Sequence, residues 1–163
     1  MATTNTTATD GVPFIDITRE FDAPREIVWR AWSEPELVKQ WLGPNRYEMV
    51  IEEYDVRDGG RYRYVHKDPD SGNEYGFHGV FHGTPSPDSF VQTFEFEGAP
   101  GHVSLEKLVL EDLGGGRTRA VMHSVYQSVE ARDAMVASGM ETGLNEGFAR
   151  LDTLLESLTS PVH

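Results

Sequence analysis

Cysteine is absent from the 163 residues. Disulfides, thiolate metal sites and cysteine nucleophiles are therefore excluded. The absence also fits a reducing cytoplasm, which is the expected location. Positive charge is scarce: 14 Lys and Arg stand against 27 Asp and Glu, a formal net charge of −13. So acidic a chain repels phosphate backbones and anionic lipid surfaces, so neither nucleic acid nor membrane is an expected partner. No apolar run approaches the roughly 20 residues of a membrane-spanning helix. Residues 1–11 lack the basic start and apolar stretch of a secretory signal, and their Thr and Ala content reads as a disordered tail.

The usual motifs of catalysis and metal binding are missing as well. Gly114-Gly115-Gly116 lacks the Lys-Ser/Thr pair of a phosphate loop and reads as a hairpin turn. No serine is framed by glycines as in a nucleophile elbow. Asp68, Asp70 and Asn73 resemble a fragment of a calcium loop without its Gly and Glu remainder, which favours a turn. The histidines, His66, His78, His82, His102, His123 and His163, have no ligand spacing. His78 and His82 share a strand face but stand about 13 Å apart, too far for one metal. No metal or cofactor is expected.

What is present alternates between two periodicities. Phe14 to Phe21 is β-rich, with a partial period of two. Asp22 or Ala23 then caps a short helix, with Pro24 near its first position and Ile27, Val28, Ala31 and Trp32 at helical spacing. Ser33-Glu34-Pro35-Glu36 starts a second short helix that carries Leu37, Val38, Trp41 and Leu42, and Gly43-Pro44 ends it. Turn signals then separate six expected strands, over residues 46–57, 60–67, 74–84, 89–97, 102–112 and 117–126. From Ser128 to Leu158 the apolar residues recur at three and four, which predicts one long helix. Gly139, Gly143 and Gly147 fall on one stripe of it. Each glycine costs up to about 1 kcal/mol in a helix, so three need a reason. Either the helix packs very close to the sheet there, or space is left open beside it.

Specific runs sharpen this outline. The segment Phe21-Asp22-Ala23-Pro24-Arg25-Glu26-Ile27-Val28-Trp29-Arg30-Ala31-Trp32 resembles the entry of the START-like (SRPBCC) superfamily, the helix-grip proteins related to birch pollen allergen. Val38 to Pro44, Asp55 to Tyr62, Phe77 to Phe81 and Gly147 to Leu151 resemble further signatures of it, in the subgroup named for the C-terminal domain of the activator of Hsp90 ATPase. The resemblance covers about residues 14–158. It implies an α+β fold in which a curved six- to seven-stranded antiparallel sheet wraps a long C-terminal helix, with two short helices after the first strand. One domain over residues 12–159 is expected, followed by a short tail over 160–163. The activator pairs this domain with a separate chaperone-binding domain for which 163 residues leave no room. A stand-alone pocket domain is implied, and chaperone engagement ranks last among the readings.

Strand parity then nominates a concave face. Tyr47, Met49, Ile51 and Glu53, then Tyr62, Tyr64 and His66, then Tyr75, Phe77, Gly79 and Phe81 share it, as do Phe90, Gln92, Phe94 and Phe96 and, on the last strand, Ala120, Met122, Ser124 and Tyr126. If Leu108 and Leu110 face the helix, Glu106 does too, and a carboxylate there must be paired or hydrogen-bonded. It is a candidate general base or ligand-orienting group. The expected ligand-binding set is Trp41, Met49, Tyr62, Tyr64, Phe77, Phe81, Phe94, Phe96, Glu106, Leu108, Met122, Ser124, Met140, Leu144 and Phe148. It points to an internal cavity for a small hydrophobic or amphipathic molecule, apolar or aromatic in character, with no catalysis. The alternatives are a cyclase- or hydrolase-type enzyme using Glu106, Tyr64, His66 and Ser124, and a chaperone partner with an exposed apolar patch. Edge strands and the helix flank also offer surfaces for a homodimer.

Overall fold

The computed structural model describes residues 3–160. The β-rich runs become β2 (Phe14–Phe21), β3 (Glu48–Tyr54), β4 (Arg61–Lys67), β5 (Glu74–His82), β6 (Ser89–Phe96), β7 (Val103–Gly114) and β8 (Arg117–Val125). The turn signals join β3 to β8 as successive antiparallel neighbours, and β2 closes on β8. Ahead of them stands β1 (Asn5–Thr7), which pairs with β2 through Asn5 opposite Thr18 and Thr7 opposite Asp16. The sheet order is β1-β2-β8-β7-β6-β5-β4-β3.

The strand β1 corrects the expectation of a disordered tail over residues 1–11. β-branched threonines meet the otherwise free edge of β2, whose backbone groups need partners. It also brings the strand count to eight among the described residues. Residues 1, 2 and 161–163, parts of the two expected tails, lie outside the described residues.

Between β2 and β3 stand α1 (Arg25–Ser33) and α2 (Pro35–Val38). Pro24, rather than Asp22 or Ala23, occupies the N-cap of α1, and Ile27 and Val28 donate to its carbonyl. Val28 and Ala31 turn fully inward.

The single long C-terminal helix is in fact two, α3 (Val129–Ala137) and α4 (Met140–Thr159). Ser128 caps α3 through its hydroxyl, as its position suggested. Gly139 breaks the helix with φ of +84°, a left-handed conformation that glycine adopts without steric cost. The break has a tertiary cause. Arg132 of α3 is 3% exposed and donates to the Thr9 carbonyl at 2.8 Å, which fastens α3 to the β1–β2 segment. Past Gly139 the chain turns to lay α4 across α1, α2 and the sheet.

The core lies under α4 from Gly147 to Leu155. Phe148 meets Trp41 in a stacked pair at 6.2 Å and Phe21 edge-on at 5.6 Å. Leu151 and Leu155 join Ile15, Leu108, Leu110 and Ala120 from the sheet. Each such side chain contributes about 1.5–3 kcal/mol of hydrophobic burial. Arg19 of β2 grips Asp152 with two bonds of 2.6 Å and lies over the Phe148 ring.

The glycine stripe is explained by close approach. A Cβ on Gly147 would stand 2.8 Å from the Trp41 carbonyl oxygen, and one on Gly143 would stand 3.3 Å from Pro44 Cγ. The neighbour is thus the loop after α2 and not the sheet. Arg150 closes the same contact by donating to the Trp41 carbonyl at 2.9 Å and to the Gly43 carbonyl. The guanidinium thus satisfies two carbonyls of the loop after α2.

Gly147→Ala is expected to lose roughly 1–3 kcal/mol to overpacking against rigid backbone. Gly143→Ala is expected to keep part of the ~1 kcal/mol helix gain, since the Pro44 ring can yield. Urea denaturation of both variants separates the two outcomes.

Candidate functional site

Parity along β6, β7 and β8 sends every second side chain to the concave face, and the pairing register sets Gln92, Glu106 and Ser124 in one cross-strand row. The row is hydrogen-bonded. Gln92 Nε2 donates to Glu106 Oε1 at 2.9 Å, and Ser124 Oγ donates to Oε2 at 3.4 Å. No bulge intervenes; the register shift in β7 falls beyond it, between Asp112 and Gly114. Glu106 makes no ion pair among the described residues.

The next row carries Tyr62, Gly79, Phe94 and Ser104. Gly79 is required there, because any Cβ would strike the Tyr62 hydroxyl at 2.6 Å. That hydroxyl instead crosses the glycine and donates to the Thr93 carbonyl at 2.5 Å. Beyond it runs an aromatic stack. Phe77 stands 5.2 Å from Tyr64, 5.5 Å from Phe94 and 5.2 Å from Phe96.

The expected site residues divide sharply. Trp41, Tyr62, Phe81, Leu108 and Phe148 are all 4% exposed or less and belong to the packed core. Tyr64, Phe77, Phe94, Phe96, Glu106, Met122 and Ser124 are half-buried on the concave face, and Met140 and Leu144 are half-buried on the first turns of α4. Met49 stands apart on the edge strand β3, beside a depression of about 450 Å³ under α2. A larger recess of about 730 Å³ lies at the rim formed by β1, β2 and β8, where Arg117 and Arg119 are paired with Glu20. Neither depression lies between the sheet and α4. What the sheet offers α4 is a face whose neighbours are dense but whose floor still meets solvent.

Two groups from the sequence gain a clear setting. Gln92 had parity in its favour but was absent from the expected set; only the register, which pairs residues 14 apart, reveals it as the partner of Glu106. Tyr126 likewise faces the row from the end of β8. The Arg150–Gly43 clasp had no sequence signal beyond the glycine spacing. Asn145, which shared a helix face with Glu141, is exposed.

Electrostatics follow from burial. Desolvation raises the Glu106 carboxyl above the ordinary carboxylate range, against the lowering effect of Gln92 and Ser124. Tyr62, Tyr64 and Tyr126 are pushed up by burial first and by the Glu106 charge second. His66, 6% exposed and wedged between Gly43, Tyr64 and Phe77, is pushed down to about 4 by burial, with Arg150 adding to the effect. Its Nε2 has no hydrogen-bond partner. On the outer face, Arg63 and then His78 hold Glu97 down to about 2.

Both inner groups set a pH signature. The raised carboxyl makes Glu106 stabilising only when protonated, so its cost grows as pH rises above the ordinary carboxylate value. Glu106→Gln can keep the bond from Gln92 and reverse the other, its amide N–H donating to Ser124 Oγ, and is expected to exceed wild type in stability at pH 7, the gap closing below about pH 4. The depressed His66 acts in the opposite sense. Its contribution is complete above about pH 6.5 and falls by about 3 kcal/mol as pH drops to 4. His66→Phe is expected to flatten that acid-side loss in urea denaturation across the interval.

Known proteins place the chain. The family model described as Activator of Hsp90 ATPase homolog 1-like protein matches residues 22–156. A solved protein from Rhodobacter sphaeroides is 27% identical with a TM-score of 0.86, covering 95% of this chain and 99% of that one. One from Arthrobacter aurescens is 28% identical with a TM-score of 0.84, covering 94% and 91%. A third, from Mycobacterium smegmatis, is 26% identical with a TM-score of 0.82, covering 97% and 99%. No curated protein matches the chain.

Proposed function

The chain belongs to the Activator of Hsp90 ATPase homolog 1-like family, with the helix-grip fold of ligand-binding proteins, and on that premise we propose that it binds a small amphipathic molecule between the concave face and α4. One observation carries the reading: Glu106 is solvent-reached on an inner, aromatic face, while its strand neighbours Ser104 and Leu108 are each 3% exposed. A packing residue at that position would be apolar. A carboxyl oriented by Gln92 and Ser124, with Tyr64, Phe77, Phe94 and Phe96 beside it, supplies one polar anchor in an apolar surround, the common composition of small-molecule sites.

Binding is preferred to catalysis for a geometric reason. The catalytic reading calls for a tyrosine hydroxyl within hydrogen-bond reach of Glu106. The Tyr62 and Tyr54 hydroxyls are committed to the Thr93 and Trp32 carbonyls, and no tyrosine hydroxyl bonds Glu106 among the described residues. The chaperone-partner reading has no comparable observation behind it.

Naphthol, an aromatic alcohol, and decanol, an aliphatic one, serve as probes in thermal denaturation. Saturation at 100 times Kd adds about 2.7 kcal/mol of stability. Naphthol is expected to give the larger shift, and Phe77→Ala to weaken its binding about tenfold, or 1.4 kcal/mol. No shift with either probe up to its solubility limit removes the proposal.

A further inference from the structure

Resting on the binding function proposed above, we infer that the ligand is a small organic cation: an amine on an aromatic or alkyl body, whose ammonium group pairs with Glu106. The case starts from charge. Glu106 is an inner carboxyl with two neutral hydrogen-bond donors and no cation. A carboxylate half-withdrawn from water and without a cation is costlier than one paired with a positive group.

The protein's own inward-facing cations are committed elsewhere. Arg19 holds Asp152 with two bonds, and Arg150 holds the Trp41 and Gly43 carbonyls. The titratable groups that face Glu106 are the phenols of Tyr62 and Tyr64 from β4 and Tyr126 from the end of β8, all neutral at physiological pH. From α4 the half-buried side chains are Met140, Leu144 and Leu158, which carry no charge, Glu146, which is acidic, and Arg150, which is held by the Trp41 and Gly43 carbonyls. The Glu106 carboxyl therefore has no cation bonded to it among the described residues.

The surround suits a cation as well. Tyr62 stacks at 6.1 Å on Tyr64, which continues through Phe77 to Phe94 and Phe96. Aromatic faces attract an ammonium through the ring quadrupole, most strongly where water is excluded. The net charge of −13 draws organic cations toward the protein and repels organic acids.

The test compares three probes on the full chain by calorimetric titration: naphthylethylamine, naphthylethanol and naphthylpropionate. They share a ring system and linker and differ in the charge of the end group. The amine is expected to bind at least tenfold tighter than the alcohol, with the acid weakest. In Glu106→Gln, which retains both hydrogen-bonding partners, that amine preference is expected to fall to within about twofold; a ligand-free melt establishes that the variant is folded. An alcohol that binds as tightly as the amine overturns the cation assignment while leaving the pocket in place. A tenfold preference that survives in Glu106→Gln overturns the assignment to Glu106. Failure of all three probes to bind overturns both the cation assignment and the binding function beneath it.

Discussion

The fold turns on the clasp between α4 and the loop that ends α2. Gly147 brings the helix against the Trp41 carbonyl, Phe148 stacks on the Trp41 ring, and Arg150 satisfies the Trp41 and Gly43 carbonyls. Trp41 is locked in turn by its indole N–H, which donates to the Ala31 carbonyl at 2.8 Å. One turn of the helix, from Gly147 to Arg150, is thereby referred to one short loop. The Arg19–Asp152 pair fixes the same helix to β2. Since these contacts gather between Gly147 and Asp152, the core gathers from there onward, and the first turns of α4, with Met140 and Leu144, cover the sheet less completely.

That asymmetry divides one concave face into two environments. Beneath Phe148 to Leu155 the sheet contributes Leu108, Leu110 and Ala120, all nearly inaccessible. Toward β4, β5 and β6 it contributes half-buried aromatics, and across β6, β7 and β8 the Gln92–Glu106–Ser124 row. Polar groups settle on the second part because solvent or a ligand can meet them there, whereas under the clasp they would be orphaned. His66 marks the boundary. It is buried by Gly43 and the aromatic stack and held neutral, so the clasp and the aromatic wall share a titratable neighbour.

Legibility varied with the range of the interaction concerned. Parity placed Glu106, Ser124, Phe77 and Phe94 on the inner face because alternation is a local property of a strand. The same parity could not distinguish Tyr62, Phe81 and Leu108, which are core, from Tyr64, Phe94 and Glu106, which meet solvent, because depth depends on where the helix lands. The glycine stripe announced close approach or open space without choosing between them. Its partner is a loop about a hundred residues earlier, and no local pattern carries that information. The split of the C-terminal helix at Gly139 was hidden for a similar reason: the apolar spacing runs on through it, and only the buried Arg132 anchor to the β1–β2 segment makes the change of direction necessary.

The sequence by itself determined the element order, the antiparallel meander, the inward parity of the strands and the family, since each rests on periodicities, turn residues and motifs read within a few positions of one another. Tertiary structure alone decided that β1 extends the sheet, that the last helix breaks, and that Gln92 meets Glu106 in a row without a counter-ion. Those outcomes depend on contacts between residues distant in the chain, where register, helix placement and burial set which groups find partners and which stay open.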